Sequence, residues 1–109
     1  MRPVIVKAYG ALDPATPATL KAVSAVLESW FIEDAADLKG SMLHIAFEGE
    51  VFPDDEVVEA LKPFLCGSSW GKLDVMDLEA WTLKRWLFGE GRLQVHTATL
   101  DKALDTSMM

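Results

Sequence analysis

Residues able to do chemistry are few and scattered along this chain of 109 residues. Gly67-Ser68-Ser69-Trp70-Gly71 has the glycine-x-serine-x-glycine spacing of a nucleophile elbow. That arrangement activates serine only where a strand enters a strained turn and a helix follows. Here a helical pattern precedes and a strand pattern follows, so the segment reads as a flexible loop. It also lacks the Gly-Lys-Ser/Thr of a phosphate loop. His44 and His96 alternate with apolar residues, and with Glu48 or Asp77 they could supply metal ligands. No helical histidine pair or Cys-x-x-Cys accompanies them, so neither a metal site nor a cofactor is expected. Cys66 falls at the end of a helical stretch, where the negative end of the dipole should raise its pKa rather than activate it. Asp74, Asp77 and Glu79 are close enough in sequence for acid–base work, although acids at such spacing commonly occupy turns.

The aromatic residues say more. There are four tryptophans. Trp30 fits the apolar stripe of a helix, and Trp81 fits the inward face of a strand. Trp86 and Phe88 fall opposite Leu83 and Leu87, on a face shared with Lys84, Arg92 and His96. An aromatic pair bordered by basic and polar groups has the composition of an interface core and rim. The expected interaction surface is therefore Lys84, Trp86, Phe88, Arg92 and His96. It exists only if no helix of the same chain covers it and if residues 77–88 are extended.

The elements that must position these residues follow from periodicity. Val4, Ile5 and Val6 begin a strand over Arg2–Tyr9 that Gly10 should stop. Thr16-Pro17 is a cap and first turn, and Leu20, Val23, Leu27, Trp30 and Phe31 make one stripe on a helix reaching Ile32. Glu33 to Gly40 reads as a loop. Leu43, Ile45 and Phe47 alternate with polar residues in a second strand. Pro53-Asp54-Asp55-Glu56 opens a second helix with acids at its positive end, and Pro63 should kink or end it. Leu73 and Val75 begin a third strand. A hairpin follows, in which the three-residue loop Gly89–Gly91 sets Leu87 against Leu93 and Arg85 against Val95.

The expected fold is α+β, an α/β sandwich of order β-α-β-α-β-β with a mixed sheet and a C-terminal hairpin. The alternative is a small doubly wound α/β fold with residues 77–88 helical. Length and composition suit a single domain over residues 1–109. No apolar run approaches the ~20 residues of a membrane helix. The first residues do not form a signal peptide, and with one cysteine this suggests a cytoplasmic protein.

Net charge is −7, which opposes binding to nucleic acid. Between Glu28 and Glu59 ten acids stand against Lys39 alone, while Lys84 to Lys102 holds four bases against two acids. These segments could pair within one chain or between two. The leading expectation is a non-enzymatic interaction or regulatory protein, homodimeric through the Trp86–Phe88 face. The alternative is a ligand-binding or catalytic domain at the carboxyl ends of parallel strands, using Tyr9, Glu48, Glu50, Asp77 and the Gly67–Gly71 loop. A third reading gives the acidic segment a basic partner.

Overall fold

The computed structural model describes residues 4–102. Alternation of Val6, Ala8 and Leu12 with Lys7, Tyr9 and Asp13 produces strand β1 (Val6–Asp13). The strand runs through Gly10 rather than stopping there. A Cβ at Gly10 would lie 2.6 Å from the Lys72 carbonyl oxygen, so this glycine marks a close approach of two strands, not a turn. Helix α1 (Pro17–Ser29) starts with a reciprocal cap: Thr16 accepts from the Thr19 N–H, and the Thr19 hydroxyl accepts from the Thr16 N–H. Thr19, Val23 and Leu27, four residues apart, form its buried stripe.

The remaining elements are β2 (Ala36–Lys39), β3 (Met42–Gly49), α2 (Asp54–Leu61), β4 (Trp70–Asp77), β5 (Thr82–Gly89) and β6 (Arg92–Thr99). Pro63 cannot donate to the α-helical ladder, and α2 tightens into a 3-10 turn over Lys62–Phe64.

The strands form one sheet of order β2-β3-β1-β4-β5-β6, and every neighbouring pair is antiparallel. The expected mixed sheet with parallel neighbours is therefore wrong, and so is the doubly wound alternative, because most of 77–88 is strand. The reason lies in Glu33 to Gly40, which contains β2 rather than only a loop. A helix leading directly from β1 into β3 would make those strands parallel. The extra strand β2 reverses the chain first, through a turn where Gly40 takes φ +61°, and β3 returns antiparallel to β1. β3 and β4 do run in the same direction, but β1 lies between them.

Both helices cover one face of the sheet. Ala8, Leu12, Leu43, Ile45, Leu73 and Phe88 meet Val23, Leu27, Val57, Val58 and Leu61 there. Each fully buried Leu or Val contributes about 1.5–3 kcal/mol. The opposite face carries Tyr9, Glu48, Asp74, Arg85 and His96.

The hairpin forms, but with a different register. Gly89 pairs with Arg92 across the two-residue turn Glu90-Gly91, both at positive φ, as a type I′ turn requires. Phe88 then opposes Leu93 and Trp86 opposes Val95. The expected register differed by one residue, and such a slip exchanges the two faces of a strand. Core residue Leu73 on β4 opposes Trp86, so Trp86 and Phe88 face the helices, while Leu83 and Leu87 lie on the other side. Among the described residues, no helix is long and apolar enough to cross a membrane.

Candidate functional site

The five residues of the expected interaction surface do not share a face. Lys84, Trp86 and Phe88 lie beneath the helices, and Arg92 and His96 lie on the opposite side of β6. Phe88 is only 4% exposed. The Trp86 indole N–H donates to Asp54 Oδ2 at 2.9 Å, and Lys84 Nζ sits 3.0 Å from the same oxygen and 4.7 Å above the indole ring. Lys84 also reaches Asp55 at 3.3 Å. Burial disfavours the Lys84 charge, but the hydrogen bond and charge of Asp54, then those of Asp55, outweigh it and raise the pKa. The acidic and basic segments thus pair within the chain. Trp81, expected in the core, occupies the β4–β5 turn at φ +60° and donates to Asp101.

Of the expected ligand residues, Tyr9 and Glu48 meet and Asp77 does not. The Tyr9 hydroxyl donates to Glu48 Oε1 at 2.6 Å, and Lys7 Nζ lies 3.5 Å from that oxygen. The hydrogen bond with Glu48 raises the Tyr9 pKa; the same bond, then the charge of Lys7, lowers that of Glu48. Asp77 opposes Val6 on the other face, where its carboxylate accepts from the N–H groups of Glu79 and Ala80 and closes the turn. Asp74 is held by Arg85 through two bonds of 2.7 and 3.0 Å. Among the described residues, no two neighbouring strands are parallel, so none end together in a ligand crevice.

His44 on β3 and His96 on β6 are four strand spacings apart, about 19 Å. Among the described residues, no group of three His, Cys, Asp or Glu could hold a metal ion. In the glycine-serine loop, Ser69 is buried and its hydroxyl accepts from the Cys66 N–H at 2.8 Å. The Cys66 thiol lies 3.2 Å from the Ser68 hydroxyl and 3.5 Å from that of Ser69. These hydroxyls, Ser68 first, lower its pKa to about 7. The expected rise is corrected: α2 ends at Leu61, so Cys66 lies beyond the helix end, among hydroxyl groups.

A different region has the features of an interface. α1 ends in a Schellman motif, with Ile32 N–H bonded to Leu27 C=O and Phe31 N–H bonded to Glu28 C=O. Glycine normally fills the left-handed position of that motif. Here it is Phe31, at φ +59° and 94% exposed. The left-handed backbone costs about 1–2 kcal/mol for an L-residue, and a ring in solvent returns nothing to the fold. Trp30 beside it is 41% exposed and donates its indole N–H to Glu56 on α2. Val4 and Val51, both exposed, complete the apolar group.

No family model, curated protein or solved structure matches this chain.

Three clefts surround the end of α1. One, of about 400 Å³, is lined by Val4, Trp30, Phe31, Ile32, Val51, Glu33, Glu48 and Glu50 among others. The second lies between Ser24 and Ala36, and the third between the two helices. Their walls carry Glu28, Glu33, Asp34, Glu48, Glu50, Asp55, Glu56 and Glu59; Lys7, Lys84 and Lys62 pair with Glu48, Asp55 and Glu59, and the other five acids set the negative field. The last turn of α1 has no basic residue, so the negative end of its dipole adds to the field. Sequence periodicity assigned Trp30 and Phe31 to the core stripe. The missing signal was the helix end itself, since no glycine follows Ser29 to mark it.

Proposed function

We propose that this protein is a non-enzymatic interaction module that docks a basic, amphipathic segment of another protein against the Trp30–Phe31 end of α1. The observation that carries this reading is Phe31, a large aromatic held in a costly backbone conformation with its ring in water. Strain and exposure together are retained at binding sites more readily than elsewhere. The surrounding carboxylates support a cationic partner, whose approach they would accelerate and whose register they would set. The same field repels phosphate backbones, which argues against nucleic acid. The lone thiol fits a reducing, cytoplasmic setting.

The test is a two-dimensional NMR titration with a short amphipathic Lys/Leu peptide. Shifts should concentrate on the Trp30 indole, Phe31, Glu50 and Val51, weaken steeply with salt, and vanish in Phe31→Ser. Shifts spread over the Tyr9–Arg85 face, or unaffected by Phe31→Ser, would refute the reading.

A further inference from the structure

β6 and β2 are the two edges of the sheet, and they differ in how they resist pairing. β2 has four residues and carries Asp37 and Lys39. A short, charged strand is a poor template. β6 has eight residues, no proline or glycine, and one formal charge, Arg92, at its first position. At about 3.4 Å per residue it presents an edge of about 27 Å. The helices do not shelter it: Val95, on their side of the sheet, is 47% exposed. Gly89 and Arg92 close the turn by exchanging hydrogen bonds, so the backbone N–H and C=O groups of Leu93, Val95, Thr97 and Thr99 point away from β5.

We infer that β6 pairs antiparallel with β6 of a second copy of this chain, about a two-fold axis at Val95, making one sheet continuous across the dimer. Self-pairing in this register sets Val95 against Val95 and Leu93 against Thr97 on the helix side. On the other side it sets Gln94 against His96 and Arg92 against Ala98. No like formal charges meet, and an exposed valine is covered by its counterpart. The long-range charge agrees. Each copy carries −7, but residues 82–102 hold four bases against two acids, so two copies meet along their least acidic flank. β1, β4 and β5 separate this edge from β3, which lines the acidic cleft, so the pairing does not depend on the function proposed above.

Light scattering after gel filtration of the full chain at tens of micromolar should give twice the chain mass of 12.0 kDa. Val95→Lys places two ammonium groups face to face on the axis. It should give the single-chain mass with an unchanged circular dichroism spectrum, while Val95→Thr should stay dimeric. Phe31→Ser should also stay dimeric, which separates this result from failure of the peptide-docking reading. A wild-type monomer overturns the inference, as does a dimer that survives Val95→Lys. So does a monomer that dimerises only after residues 103–109 are removed, because the chain's own end would then be the occupant of the edge.

Discussion

The indole N–H of Trp86 donates to the carboxylate of Asp54, the first residue of α2, across 2.9 Å. Lys84 closes a triangle by touching the same oxygen at 3.0 Å and the indole face at 4.7 Å. One carboxylate thus ties the start of a helix to the fifth strand of the sheet, and its side chain is only 16% exposed. Asp54→Ala should leave the half-buried indole N–H without its acceptor and the ammonium with Asp55 alone. A loss of about 2 kcal/mol in urea unfolding is expected. Asp54→Ala should cost much less in a Lys84→Ala background; full additivity would show that the two groups are uncoupled.

Phe31→Gly should stabilise the protein. Glycine takes the left-handed position at φ +59° without a Cβ penalty, and the net gain, after its greater chain entropy, is about 1 kcal/mol. That corresponds to a rise of about 5 °C in thermal midpoint. Phe31→Ala keeps the strained backbone and should leave the midpoint nearly unmoved, while both variants lose affinity for the basic peptide. Equal midpoints in all three proteins would show that the backbone carries no strain.

Cys66 should alkylate as a thiol of pKa about 7. The iodoacetamide rate should rise to half its maximum near neutral pH, and Ser68→Ala should move that midpoint upward. Because the folded thiol ionises more readily than the unfolded one, its contribution to stability is present above the ordinary cysteine pKa. It is lost as pH falls through about 7. A midpoint at the ordinary cysteine value in the wild type would mean that the serine hydroxyls do not stabilise the thiolate.

The Tyr9–Glu48 pair should be visible from both ends of the pH scale. Glu48 titrates low, so its contribution is full above the ordinary glutamate range and disappears as pH falls through the lowered value. Tyr9 titrates high, so its contribution is present below the ordinary tyrosine pKa and is lost as pH rises through the raised one. Carboxyl NMR of Tyr9→Phe should show Glu48 moving back up toward the ordinary range, held down only by Lys7. An unmoved Glu48 would assign the whole effect to the lysine.

Local elements were legible in the residues, and their assembly was not. The Thr16-Pro17 cap, the alternation of Leu43, Ile45 and Phe47, the proline after α2 and the final hairpin all appear where their physics predicts them. The sheet went wrong at β2, whose four residues lie in an acidic stretch with only Ala36 and Leu38 facing inward. Missing that reversal made antiparallel strands look parallel. The hairpin went wrong at Glu90, which occupies a positive-φ position that asparagine or aspartate would have announced. One residue of error there moved Trp86 from beneath α2 to the imagined surface. The Trp30–Phe31 site stayed hidden because a helix end without glycine reads as more helix. The acidic segment was legible in composition, but only folding gathers it around three clefts.

β1 stands between two strands that point the same way and never touch. It precedes both of them in the chain, and Leu73, opposite Gly10, lies more than sixty positions downstream. Assembly must therefore wait for a distant segment, which favours slow folding. Deleting that opening strand would leave two separate ribbons, β2-β3 and β4-β5-β6, each with a newly bared margin. That strand is thus the seam on which both halves of the molecule close.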